Sequence, residues 1–222
     1  MNKKLLVALI VLTLALSSCS ALPNVLNITK GSGNVISESR DISGVTSVDL
    51  DGSADVDIAF GESESLVIEA EDNIIPLIET KVENGKLTVG TRSNTSYTST
   101  KGVKVHVTLI SLEAVSLSGS GNITIHNLQG DTLKAELDGS GNINLNGTVN
   151  SAEMSLGGSG KINAEQLKAG SVKVVVAGSG DARVYASELL DADLSGSGSI
   201  RYSGSPTQVN KNDSGSGSIT GE

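Results

Sequence analysis

Leu117-Ser118-Gly119-Ser120-Gly121-Asn122-Ile123 holds a tripeptide, Gly-Ser-Gly, that returns through the second half of the chain at a nearly constant interval. The first glycines of the copies are Gly119, Gly139, Gly158, Gly178, Gly196 and Gly215, separated by 20, 19, 20, 18 and 19 residues. A period of that length is the mark of stacked coils. An apolar residue stands two before the turn (Leu117, Leu137, Leu156, Val176, Leu194), and in five copies an isoleucine stands four after its first glycine (Ile123, Ile143, Ile162, Ile200, Ile219). The pattern predicts an all-β chain, a right-handed β-solenoid or β-helix of about 20 residues per coil with Gly-Ser-Gly corners.

A corner must reverse the chain within a few residues while its neighbours stack about 4.8 Å above and below, and the expectation is that glycine supplies the necessary φ without a Cβ penalty. Inward rows are then expected along Val115, Ala135, Met154, Val174 and Ala192, and along the leucine position before each turn. A third apolar position, at Leu128, Val149, Leu167 and Leu189, predicts a three-sided cross-section. No segment sustains a helical period. In the last coil Lys211 and Asp213 replace apolar residues. That coil reads as a polar C-terminal cap over an otherwise open strand edge.

Upstream the pattern is looser. Gly52-Ser53-Ala54-Asp55-Val56 repeats the turn with Val48, Leu50 and Ile58 at matching offsets, and Gly31-Ser32-Gly33-Asn34-Val35 is an earlier, separate copy. Leu66-Val67-Ile68 reads as a short strand, and Pro76 bars its segment from a central strand. Val82 to Val89 is a hairpin signal around Asn84-Gly85. Residues 91–101 read as a polar loop. Val103, Val105, Val107 and Leu109 alternate with polar residues as a half-buried strand. The expected organisation is a signal peptide over 1–18, a tether over 19–30 and a solenoid over 31–222. Within the solenoid, 31–102 is irregular and 103–222 is regular.

Residues 1–18 carry Lys3, Lys4 and an apolar run from Leu5 to Leu16, the form of an export signal. The run is shorter than the roughly 20 apolar residues that a spanning helix needs. The chain's single cysteine, Cys19, follows Leu16-Ser17-Ser18, which resembles the bacterial lipobox. The expectation is cleavage before Cys19 and lipidation there, giving a membrane anchor that does not span. The plainer alternative is a secretory signal followed by an incidental thiol. Ser20, rather than aspartate, favours the outer membrane over retention at the inner one.

The whole chain has a formal net charge of −9, and removing 1–18 leaves 14 basic against 25 acidic residues, or −11. Such a body is unsuited to nucleic acid and to anionic lipid surfaces. Aromatic residues are confined to Phe60, Tyr97, Tyr185 and Tyr202. The core therefore rests on aligned aliphatic rows instead of large rings.

Three stretches carry a family resemblance: Gly31 to Val35 with Arg40 and Val45, Asn73 to Ile78 with Asn84-Gly85-Lys86-Leu87, and Leu112 leading into Leu117 to Ile123. Together, over about residues 31–220, they resemble the putative auto-transporter adhesin, head GIN domain family. The resemblance implies an exported, often lipid-anchored β-solenoid of the cell envelope with an adhesive or structural role. It brings no catalytic residues and no cofactor.

The residues agree with a non-enzymatic reading. The Gly-Ser-Gly copies lack the third glycine and the following helix of a dinucleotide loop. No G-x-S-x-G elbow occurs. Lys161 stands where a calcium repeat requires aspartate. His106 and His126, one coil apart, would be outward neighbours able to share a metal ion, or simply two solvated imidazoles; no metal site is assigned.

The candidate ligand face is the outward row after each turn. Five residues past the first glycine come Thr124, Asn144, Asn163, Arg183, Arg201 and Thr220, and seven past it come His126, Asn146, Glu165, Tyr185, Ser203 and Glu222. Asn144, Asn163, Glu165, Arg183, Tyr185 and Arg201 are the residues expected to hydrogen-bond a glycan or an envelope protein, against the plainer view of a solvated face. Val175 with Ala177 is a candidate homo-oligomer contact. Two alternatives remain: a lyase-like carbohydrate-active enzyme using Glu165, Asp181, Arg183 and Arg201, and an accessory or sensor subunit.

Overall fold

The computed structural model describes residues 28–222. The expected signal segment and Cys19 lie outside these residues. In chain order the first strands are β1 (Ile28–Lys30), β2 (Val35–Arg40), β3 (Ser47–Gly52), β4 (Asp55–Phe60) and β5 (Ser65–Glu71). Pro76 then sits in a 3-10 turn, Ile75–Leu77, before β6 (Ile78–Glu83), β7 (Lys86–Thr91), β8 (Ser96–Thr98) and β9 (Lys104–Leu109). The array follows as β10 (Ala114–Gly119), β11 (Asn122–Gly139), β12 (Asn142–Leu156), β13 (Lys161–Val176), β14 (Asp181–Leu194), β15 (Ser199–Ser203), β16 (Gln208–Asp213) and β17 (Ser218–Gly221). It is a β-solenoid. No helix among the described residues is long and apolar enough to cross a membrane.

The inward rows stack as parallel ladders. Leu50, Leu117, Leu137, Leu156, Val176 and Leu194 are successive register partners. Each is fully buried. Burying one such side chain contributes about 1.5–3 kcal/mol, and alignment lets every coil bury its row against both neighbours. The isoleucine row after the corner runs Val56, Ile123, Ile143, Ile162, Ala182 and Ile200. Of the expected third apolar row, Leu128, Val149 and Leu167 are buried. Leu189 is half-buried beside Ser171, and the next residue, Leu190, takes the inward place on Val172, after the register shifts between Ala164 and Ser171. Val175 is half-buried, with Ser155 and Asp193 beside it in the ladder, and Ala177 is exposed.

Glycine is required at the corners for a different reason than expected. Gly119 and Gly139 have φ of 131° and 156°, but Gly158, Gly178, Gly196 and Gly215 do not have positive φ. What the six share is proximity. A Cβ on any of them would come within 3.0 Å of a carbonyl oxygen in the coil beneath. Close stacking of backbone on backbone, not turn conformation, excludes side chains there.

The coils are not stacked in chain order throughout. β3 and β4 form a coil beneath β10 and β11, with Val115 on Val48 and Ile123 on Val56. Residues 61–113 then pass to the far side of that coil. β7 pairs with β3, and β9 pairs in parallel with β4. The strand at 103–109, expected to open the regular array, therefore lies one coil below 47–60. Antiparallel β6, β5 and β2 close this end. Asn84 and Gly85, with φ of 51° and 78°, make the tight turn of the β6–β7 hairpin.

Gly31-Ser32-Gly33 is not a corner. It wraps the carboxylate of Glu71, the one buried charged residue among those described. Glu71 accepts hydrogen bonds from Ser99 Oγ at 2.6 Å, Thr100 Oγ1 at 3.0 Å and the Gly33 amide at 3.0 Å. The Ser99 hydroxyl above all, against the opposing effect of burial, holds its carboxyl below the usual range. A Cβ on Gly31 would collide with that carboxylate. Two expectations change here: Ile28–Lys30 of the tether is a strand, and it pairs with Ser96–Thr98 inside the expected loop. At the other end β16 is exposed along its length, with Lys211 on Ala192 and Asp213 on Leu194.

Candidate ligand-binding groove

Successive strands on the side after the corner present outward residues in two parallel rows. The row five past each first glycine stacks as expected: Thr124, Asn144, Asn163, Arg183, Arg201 and Thr220 are register partners in sequence. Beside it runs a row that was not singled out from the sequence, Asn122, Asn142, Lys161, Asp181 and Ser199. The signal for it was present. These residues lie three past each glycine, two before the chosen row, and strand alternation puts both on one face.

Between and above these rows lies a cavity of about 420 Å³ whose lining includes Asn144, Asn163, Arg183, Arg201, Lys161 and Asp181, with Ile162 the one apolar residue. A second cavity of about 220 Å³ adjoins it, sharing Asn144 and Asn163 and continuing to Thr124, His126, Asn146 and Gln166. The two make one groove along the solenoid axis.

Of the six residues expected on the ligand face, Asn144, Asn163, Arg183 and Arg201 line the groove, whereas Glu165 and Tyr185 do not. The register shifts between Asn144 and Asn146, so Gln166 takes the place beside Asn146 and accepts its amide hydrogen at 2.9 Å. Glu165 instead reaches Arg183 at 3.9 Å. Tyr185 packs against Gly204, and Lys168 Nζ stands 3.7 Å from its ring centroid.

The two rows differ in how their polar groups are used. In the first-mentioned amide row, Asn144 and Asn163 make no side-chain hydrogen bond among the described residues. In the other, Asn122 donates to Asp55 at 2.6 Å, Asn142 donates to Asn122 at 2.7 Å, and Ser199 donates to Asp181 at 2.7 Å. That row is hydrogen-bonded to itself on either side of Lys161, which stiffens the wall. The other offers unengaged amide donors and acceptors to the groove.

The two histidines are not stacked neighbours, because β4 lies between their strands. His106 Nδ1 and His126 Nε2 each stand 3.7 Å from a different oxygen of Asp57. Among the described residues no group of three or more His, Cys, Asp or Glu is placed to hold a metal ion.

A model of the family described as putative auto-transporter adhesin, head GIN domain, matches residues 44–206. The chain is also similar to the crystal structure of a putative adhesin from Bacteroides fragilis NCTC 9343, with 26% identity and a TM-score of 0.74 over 87% of this chain and 99% of that one. A putative lipid binding protein from Parabacteroides distasonis ATCC 8503 is 26% identical, with a TM-score of 0.55 over 87% of this chain and 98% of that one. A putative adhesin from Parabacteroides merdae ATCC 43184, at 22% identity and a TM-score of 0.52 over 87% and 98% of the two chains, shares the fold. No curated protein matches the chain.

Proposed function

The chain belongs to the family described as putative auto-transporter adhesin, head GIN domain, and from that premise we propose that it is a non-enzymatic binding module of the cell envelope. It is exported, anchored by lipid at Cys19 on the outer membrane, and binds a glycan in the groove after the corners. The observation that carries this reading is the pair of unengaged amides, Asn144 and Asn163, at the centre of the groove. A side-chain amide presents a donor and an acceptor together, which suits sugar hydroxyls.

The chemistry of the lining supports binding over turnover. Glycoside hydrolysis uses two carboxylates about 5–10 Å apart across the scissile bond. Asp181 is the one carboxylate in the lining of the larger cavity, and Ser199 already donates to it. One similar protein is described as lipid binding, but here a lipid tail would meet polar walls, with Ile162 alone offering apolar contact in that cavity.

The test is a glycan array probed with the mature chain. Binding by the parent protein, lost when Asn144 and Asn163 are both replaced by alanine, is the expected result. Binding that survives the double substitution would place the ligand elsewhere, and turnover of any bound polysaccharide would overturn the non-enzymatic reading.

A further inference from the structure

We infer that the groove takes an acidic glycan, a polysaccharide bearing isolated carboxylates, with separate carboxylates on Arg201 and on Lys161, two coils apart, and sugar hydroxyls on Asn144 and Asn163. This rests on the groove being the ligand face and names the class of ligand it selects.

Charge distribution is the first support. The chain carries a net charge of −9, yet the lining of the larger cavity has three cations, Lys161, Arg183 and Arg201, against one carboxylate, Asp181. Four lysines elsewhere meet acids: Lys81 with Glu83, Lys86 with Asp49, Lys134 with Glu136, and Lys173 with Glu153. Arg201 and Lys161 make no ion pair among the described residues.

Register is the second support. Arg183 and Arg201 are direct partners in adjacent coils, a spacing of about 4.8 Å. Like charges directly opposed in a sheet are unfavourable. Glu165 relieves Arg183 only from 3.9 Å. A carboxylate held by Arg201 would offset the charge that faces Arg183, and the arginine fork accepts it through two parallel hydrogen bonds.

The neighbours narrow the class. A peptide would leave its side chains without open apolar pockets, since the apolar lining residues of the groove, Ile162 and, in the adjoining cavity, Ile125 and Leu145, are themselves buried beneath its polar rows. A densely charged polymer would meet Asp181 inside the groove and an acidic body around it. Sparse carboxylates on a hydroxyl-rich chain satisfy cations, amides and Asp181 together.

The experiment is isothermal titration of the full chain with a hyaluronan tetrasaccharide, in which uronates alternate with neutral sugars, and with the same oligosaccharide after reduction of its carboxyls to the neutral sugar. The acidic form is expected to bind, more weakly as salt rises, and the neutral form to bind at least about tenfold more weakly, the scale of one charged hydrogen bond. Arg201→Ala and Lys161→Ala should each weaken the acidic form about tenfold and leave the neutral form unchanged. Both residues are exposed, so unchanged circular dichroism should accompany the loss. Equal binding of the two oligosaccharides, binding of neither, or tighter binding of a sulfated polymer would each overturn the inference. The groove itself is tested apart from charge: if Asn163→Ala weakens both oligosaccharides while Arg201→Ala weakens neither, the ligand face stands and acid recognition fails. If neither substitution matters, the face fails too.

Discussion

Gly141 lies directly over Gly121: a Cβ on Gly141 would stand 2.8 Å from Leu117 Cδ2 and closer still to the Gly121 carbonyl oxygen. Two coils thus touch through bare backbone, and no rotamer can relieve an added methyl there. Gly141→Ala is expected to destabilise by about 1–3 kcal/mol, the usual range for overpacking, and Gly141→Val by more. Gly130→Ala is the control, since its Cβ would meet only Val149 Cγ1 at 4.0 Å. Thermal melts followed by circular dichroism check this; equal shifts for Gly130→Ala and Gly141→Ala would rule out the corner clash.

Glu71 makes the N-terminal end acid-sensitive. Its folded pKa lies below the ordinary value of 4.5, chiefly through the Ser99 hydroxyl. A lowered carboxyl contributes stability that is present above 4.5 and is lost as pH falls through the folded value. Asp72, lowered by Ser32 and Asn34, adds a contribution of the same sign. The protection of β2 and β5 amides from hydrogen exchange, taken relative to the intrinsic rate at each pH, should fall as pH drops below 4.5. In Glu71→Gln that fall should shrink, leaving the Asp72 part, and a pH profile parallel to the parent's would remove Glu71 from the explanation.

The polar last coil is expected to restrain end-to-end association. Lys211 and Asp213 continue the rows of Ala192 and Leu194 with charge, and Lys211 Nζ stands 4.7 Å from the Tyr202 ring centroid. Replacing them as Lys211→Val with Asp213→Leu would extend two apolar ladders onto an unpaired edge. Light scattering should then show oligomers that grow with concentration. A double variant that stays at the parent's mass would show that the edge is protected by other means.

The proposed lipid anchor rests on Cys19. Cys19→Ser in the expressing bacterium should move the protein from the membrane fraction to the soluble exported fraction. Continued partition with membranes would leave the lipid anchor without support.

Much of the fold is legible in the chain because the period and the offsets act together. Once Gly119, Gly139 and Gly158 are set in line, Leu117, Leu137 and Leu156 can only stack, since a shift of one residue would turn every row outward. The Asn84-Gly85 hairpin was equally local. The departures arise where the period breaks. Residues 61–113 leave the first coil and return beneath it, and nothing in strand alternation distinguishes a strand laid above a coil from one laid below.

The same division holds for the groove. Periodicity alone brings Asn144, Asn163, Arg183 and Arg201 into one row, because each lies five residues past its corner. That Glu165 falls out of line, that Gln166 replaces it, and that Asn142 donates to Asn122 and Asn122 to Asp55 while Asn144 and Asn163 make no side-chain hydrogen bond among the described residues follows only from the stacked coils. A bulge between Asn144 and Asn146 resets the register, and hydrogen bonds between side chains 20 residues apart depend on that register. Coil, corner and core are written in local spacing. Which polar groups remain available for a ligand is settled by contacts between coils, where a shift of one residue changes every partner.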